Sequence, residues 1–324
     1  MKRAVLALCL PLFCCNEEDN TGRAEDAQAV QAKDASPPTD ARAPVTRDAT
    51  VPRDAAPPVD ARVPSEEDAA TEVIDAQTPQ DSGVAPEDDA GPGGASRCSG
   101  AGLTFCDDFE GAQLDSAWTN KQGTVELDSS KAMRGQKSLH VRAENNKVAI
   151  IAHRASFPMP NERFWVRTFV NIKNLPTPNW AHWSMLWTIP EGAQWSVEEH
   201  RFGGQNQSDK KLYWAVGTDH GKSGDWTNID NSSTVQLDKW TCVELLIDAN
   251  MDVSQVYRDG VEYPKLATTR SVQHQGNASV PYDIPAPRTL WLGFFYYQGE
   301  TPGTTYDLWF DSFAIDDERI GCTR

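Results

Sequence analysis

The chain has 324 residues, 47 of them acidic and 30 basic, with a net charge of −17 when histidines are neutral. That balance excludes nucleic acid and anionic lipid surfaces as natural partners, since both demand clustered Lys and Arg. Length alone suggests about two domains, but residues 16–97 contain no Trp, Tyr or Phe, and all 11 Trp lie beyond Arg97.

Met1-Lys2-Arg3 is a charged start, and Ala4 to Phe13 is an apolar run too short to span a bilayer. The run ends at Leu12-Phe13-Cys14-Cys15 and turns polar at Asn16-Glu17-Glu18. This is similar to a bacterial lipoprotein signal over residues 1–15, with Cys15 as the lipidated residue. An ordinary secretory signal cleaved nearby is the alternative. Either way the chain is expected to be exported, at the cell envelope or outer surface.

Residues 16–97 hold 19 acidic and 7 basic groups, a net of −12, in a background of Ala, Pro, Val and Thr. Asp-Ala pairs recur from Asp34-Ala35 to Asp75-Ala76 with prolines between them. So few large apolar side chains cannot offset the entropy of ordering, so a disordered, self-repelling spacer is expected.

Four cysteines follow the signal: Cys98, Cys106, Cys242 and Cys322. An even number in an exported chain indicates disulfides, with three connectivities open. A local Cys98–Cys106 loop with a long-range Cys242–Cys322 staple is the favoured one. No CxxC pair or neighbouring His gives zinc spacing.

Beyond Cys106 the sequence breaks into strand-length runs. In Phe164–Ile172, Val166, Thr168, Val170 and Ile172 lie on one face, and Arg167, Phe169 and Asn171 on the other. Similar runs cover Ser138–Ala143, Ala149–Ala152, His182–Thr188, Leu212–Val216, Trp240–Ile247, Ser254–Arg258, Thr289–Tyr297 and Asp307–Ile315. Asp259-Gly260 between two such runs predicts a tight hairpin. No long helical period is sustained. Residues 98–324 are thus expected to form one all-β sandwich or jelly roll, of the concanavalin or polysaccharide-lyase kind.

Five ordered motifs carry a family resemblance: Cys106-Asp107-Asp108-Phe109-Glu110 with Gly123–Asp128, Arg201-Phe202-Gly203-Gly204-Gln205, Trp240–Glu244, Gly293–Gly299, and Trp309–Ile315 through Cys322. Together they resemble the fungal cellulose-induced protein core domain, a jelly roll related to glucuronan and alginate lyases. The resemblance implies a groove across one sheet that takes polysaccharide, with β-elimination of a uronic-acid polymer as the implied reaction. It also implies the Cys242–Cys322 bond. A structural calcium is implied at Glu110 and Asp311, with backbone carbonyls near Arg134 and Lys137. The oxygen-only shell suits that ion.

A lyase must neutralise the uronate carboxylate, take the C5 proton and protonate the leaving oxygen. Arg201 and Gln205 share a strand face with Gly203, and glycines there would keep the face open for a ligand. These residues are candidates for the carboxylate, and His182 and Tyr297 for proton transfer. Trp291, on the Tyr297 face, is a candidate substrate contact. Each has a plainer role open to it: Arg201 pairing with Glu199, His182 as a strand histidine, Tyr297 as a sheet aromatic, Glu110 and Asp311 as solvated strand-end acids. Where that family carries His two residues before the strand arginine, this chain has Glu199, and a carboxylate there would repel a uronate.

The expected partners are therefore a polysaccharide, uronic-acid polymers included, and a membrane reached through a lipid anchor alone. Nucleic acid is excluded, and the protein itself is expected to be a monomer. A non-catalytic lectin-like adhesion protein, or a structural envelope lipoprotein, is the alternative.

Overall fold

The computed structural model describes residues 96–98, 102–144, 148–193, 198–221, 226–271, 280–296 and 303–323, with backbone only at 226–228 and 233. The expected signal, Cys15 and the spacer up to residue 95 lie outside the described residues, as does Tyr297. Among the described residues there are fifteen strands, two single-turn 3₁₀ helices and no α-helix.

The strands form two antiparallel sheets. One runs β13 (Val261–Glu262), β12 (Val253–Arg258), β11 (Trp240–Asp248), β6 (Arg163–Ile172), β15 (Thr305–Asp316), β4 (Ser138–Glu144), β3 (Thr124–Asp128), with β1 (Phe105–Asp107) also paired to β15. The other runs β10 (Trp226–Thr234), β9 (Leu212–Asp219), β8 (Glu199–Asn206), β7 (His182–Ile189), β14 (Thr289–Tyr296), β5 (Ala149–His153), β2 (Trp118–Gln122). Runs of consecutive strands, β7 to β10 and β11 to β13, form meanders at one side of each sheet, and long crossovers bring β14, β15, β5 and β6 beside them, as in a sandwich.

The period-two alternation decides which side chains are shared between the sheets. On β6, Val166, Val170 and Ile172 enter the main core, while Arg167, Phe169 and Asn171 face away from it, as the sequence pattern predicts. The facing sheet contributes Trp183, Phe202, Trp214, Leu292 and Phe294 to the same core. Each large apolar side chain so buried stabilises by roughly 1.5–3 kcal/mol. The Asp259-Gly260 turn between β12 and β13 has positive φ at both residues, 50° and 83°, the geometry of a two-residue hairpin.

Outside the core, the eight-stranded sheet is closed by the two chain ends of the domain. Both expected disulfides are present, Cys98–Cys106 with a Cα separation of 5.4 Å and Cys242–Cys322 with 5.9 Å. Buried Glu244 accepts the backbone N–H groups of Ile320 and Gly321 and pairs with Arg319, whose guanidinium lies 3.6 Å from the Tyr257 ring centroid. Arg97 donates to the Cys322 carbonyl, fastening the entry segment to the exit segment.

The two bonds close loops of very different length, with sequence separations of 8 and 80. Chain-entropy reasoning assigns about 2.5 kcal/mol to the short loop and about 4.5 kcal/mol to the long one. Replacing Cys242 and Cys322 by Ser should therefore lower unfolding stability more than replacing Cys98 and Cys106. Urea titration of the two double variants measures this, and equal losses would show that loop length is not what matters.

Candidate functional site

The outer face of the seven-stranded sheet gathers the sequence-selected residues. Cross-strand partners in an antiparallel sheet point to the same side, and β8 sits between β7 and β9 with His182 opposite Gln205, Trp187 opposite Arg201, and Glu199 opposite Asp219. From β14, Trp291 lies opposite Trp187 and Phe295 opposite Ser184. His182, Arg201, Gln205, Glu199 and Trp291 thus share one face. Tyr297 lies outside the described residues.

A bulge in β7 makes this alignment. Register shifts between Ser184 and Leu186, so Met185 and Leu186 both enter the main core. Trp183 also points inward, whereas Trp187 and Ile189 turn to the outer face. There Trp187 and Trp291 stack at 6.4 Å with planes 14° apart, beside Ile150 and Ala152. Both indole N–H groups are buried and make no hydrogen bond with any described residue.

The glycines of β8 have a different reason from the one the sequence suggests. A Cβ on Gly203 would lie 2.0 Å from the Trp183 carbonyl oxygen, and one on Gly204 2.2 Å from the Trp183 ring. Close packing of β8 against the bulged strand requires them, not access for a ligand.

Arg201 is the centre of charge on this face, and it is engaged. Its Nη1 bonds the Glu199 carboxylate at 3.0 Å and also the Asp219 carboxylate. Arg201 and Glu199 are 5% and 2% exposed, so the cluster is desolvated and its geometry matters. Two carboxylates thus share one guanidinium. Asp219 escapes sequence reasoning because only the β8–β9 register brings it to Glu199. The cue available was the hydrophilic Gln207-Ser208-Asp209-Lys210 turn between two strand-like runs.

His200, between Glu199 and Arg201, points into the domain against Tyr282, their rings 6.1 Å apart and near perpendicular. Burial first, and the Arg201 guanidinium second, push its pKa down to about 3. His153, stacked on Phe105 at 4.0 Å, is pushed down to about 4, chiefly by burial.

The expected calcium ligands meet at one loop on the other sheet. Asp311 accepts the N–H groups of Met133 and Arg134 at 2.7 and 3.2 Å, and Glu110 accepts those of Gln136 and Lys137, both at 2.8 Å. The sequence expectation had backbone carbonyls near Arg134 and Lys137; here their N–H groups turn toward the carboxylates. Asp311 is fully buried, and desolvation pushes its pKa up to about 7 despite those donors. Among the described residues no group of three or more His, Cys, Asp or Glu is arranged to hold a metal.

A model of the polysaccharide-lyase-like family described as the Cip1-like core domain matches residues 108–318. The chain belongs to this family. A solved structure of the cellulose-induced protein Cip1 is 19% identical, covers 67% of this chain and 99% of its own, and superposes with a TM-score of 0.48. The botulinum neurotoxin serotype C1 binding domain is 9% identical, covering 62% of this chain and 44% of its own at a TM-score of 0.41. The serotype D/C binding domain is 11% identical with the same coverage at 0.40. No curated protein matches the chain.

The two depressed histidines have a consequence for stability. A folded-state pKa below the unfolded value of about 6.5 means the unfolded chain takes the proton first. Their contribution is therefore full above about pH 6.5 and is lost as pH falls toward 4 and 3. Asp311, with its pKa raised, works in the opposite sense, since its protonation at lower pH favours the folded state. His200→Phe should therefore lose less stability than wild type between pH 7 and pH 4. Urea midpoints at the two pH values check it, and an unchanged pH slope would count against it.

Proposed function

We propose that the domain binds a polysaccharide along the outer face of the seven-stranded sheet and favours uncharged chains over polyuronates. The observation that carries this is the Glu199–Arg201–Asp219 cluster beside the stacked Trp187–Trp291 pair. Arg201 is the group that would meet a uronate carboxylate, yet two carboxylates already hold it. A third would have to enter beside them in a domain whose residues 98–324 carry a net −7. Neutral sugars need only hydrogen-bonding groups beside apolar surface, and Gln205, His182 and the two carboxylates are groups of the first kind.

A second reading, β-elimination of a uronic-acid polymer, draws support from the shared face of His182, Gln205 and Arg201. In it Arg201 and Gln205 take the carboxylate, and His182 and Tyr297 exchange protons. The family membership fits either reading. The two disulfides place the domain in an oxidising compartment. With Cys15 lipidated and residues 16–97 as a spacer, the domain would be held at the outer surface of the cell that exports it. Among the described residues no helix is long and apolar enough to cross a membrane.

The deciding experiment incubates the full chain with mixed-linkage β-glucan, xylan, glucomannan, alginate and polyglucuronate, following both binding and absorbance of unsaturated product. Binding of a neutral polymer without product supports the first reading. Product from a uronate polymer, abolished by Tyr297→Phe with binding retained, replaces it with the second.

The Glu110–Asp311 pair is also proposed to hold a structural calcium ion. Two carboxylates grip one loop, and one of them is buried with a pKa near 7, an arrangement that a divalent cation would relieve. Backbone carbonyls of residues 131–137 would complete an oxygen shell of the kind calcium takes. Millimolar calcium should raise Tm and chelation lower it, and Asp311→Asn should abolish the difference. A Tm indifferent to calcium in the wild-type chain would end the idea.

A further inference from the structure

We infer that Trp180 is a stacking platform for a pyranose ring at the edge of the outer face of the seven-stranded sheet, extending the site toward its His182–Gln205 end. This rests on the polysaccharide-binding reading above and deepens it.

Among the described residues four large apolar side chains stand in solvent: Trp180 at 53% exposure, Leu237, Met251 and Val261. Of these, Trp180 adjoins the face, two residues before His182. An exposed indole forgoes a large hydrophobic gain, since a Trp buries some 150–250 Å² when packed. Its ring is also presented at a cost in the backbone. Trp180 has φ +63°, the left-handed region that Gly or Asn adopts readily and a bulky side chain rarely does.

The segment is fixed rather than loose, and one buried residue fixes it. Asn206, 1% exposed at the end of β8, accepts the Trp180 N–H at its backbone carbonyl at 2.7 Å and donates its own N–H to the Ala181 carbonyl at 2.9 Å. Its side-chain amide donates to the carbonyls of Thr177 and Pro178, at 2.5 and 2.9 Å. The next residue back on β8 is Gln205, which pairs with His182. The loop that carries Trp180 is therefore clamped to the strand that carries Gln205 and Arg201, so the residue from which the exposed ring projects keeps a set position relative to the face.

A turn with no further task would be better served by Gly or Asn at residue 180. An exposed indole on a clamped backbone suits a ligand with a flat apolar face and polarised C–H groups, which a pyranose ring with axial hydrogens provides. The chemistry is that of an uncharged pyranose chain: one unit on Trp180, the following units toward Gln205 and Arg201.

The test uses the full chain and the variants Trp180→Ala, Trp180→Asn and Trp180→Phe with soluble mixed-linkage β-glucan, xylan and glucomannan, by calorimetry and affinity electrophoresis. Trp180→Ala and Trp180→Asn should weaken binding about tenfold, and Trp180→Phe should weaken it less. Trp180→Asn should melt close to wild type, because the left-handed backbone suits Asn and offsets the contacts of an indole that is already half exposed. Iodide quenching of the wild-type tryptophan fluorescence should fall on adding the polymer that binds. If wild type binds a polymer and the Ala and Asn variants bind it equally well, this inference fails while the binding reading stands. A marked drop in Tm for Trp180→Asn would show the ring to be structural and would also overturn it. If wild type binds none of the polymers, the binding reading itself fails, and Trp180 loses its role with it.

Discussion

Two sheets share one core here, and each strand must turn the same alternate residues inward along its length. Phe164, Val166 and Val170 on β6 meet Phe202, Trp214 and Leu292 from the facing sheet, all almost fully buried. Because the side-chain period is two, a slip of one residue would exchange core and surface on a whole strand. The core therefore fixes register, and register in turn fixes what the outer faces can present. Arg201, Gln205 and Glu199 face outward on β8 because His200 and Phe202 face inward. The same rule forces a histidine into the interior, where burial keeps it neutral.

The two outer faces have been put to different uses. On the eight-stranded sheet, several polar groups serve closure. Glu244 caps the exit segment, the Cys242–Cys322 bond ties that segment to β11, and Glu110 and Asp311 grip the loop at 133–137. Lys131 from the same loop lies over the Trp309 ring at 4.3 Å and bonds Asn171. The seven-stranded sheet keeps its charged cluster, its stacked indoles and its exposed rim tryptophan away from the chain ends.

Much of the fold was legible because alternation and turn chemistry speak locally. β6 reads directly as Val-Thr-Val-Ile against Arg-Phe-Asn, and Asp259-Gly260 announces its hairpin. β10 and β2 did not announce themselves. Trp226–Thr234 and Trp118–Gln122 are polar edge strands whose partners supply the pairing, so their own sequences carry little hydrophobic period. The resemblance brought the β8 residues together, but it could not supply Asp219, which depends on a hairpin register across 20 residues. Nor could it foresee the bulge in β7. With strict alternation Trp183 and Trp187 would share a face; the extra residue at Met185 sends one into the core and the other to the site.

Electrostatics then narrows what such a face can hold. An arginine on a carbohydrate-binding sheet suggests recognition of an acidic sugar, and that inference holds when the guanidinium is otherwise unopposed. Here Glu199 and Asp219 flank it at hydrogen-bonding range; Arg201 and Glu199 are almost fully buried, and Asp219 is partly open to water. The pair of carboxylates is worth more to Arg201 than a mobile substrate carboxylate, because their strands are already ordered and no association entropy is lost. On the proposed reading, a uronate approaching this cluster would meet two carboxylates in a negatively charged domain. A neutral chain would meet no such opposition, and its hydroxyl groups would exchange hydrogen bonds with Gln205 and the carboxylates. Charge that would repel one class of polysaccharide would then be a source of specificity for the other.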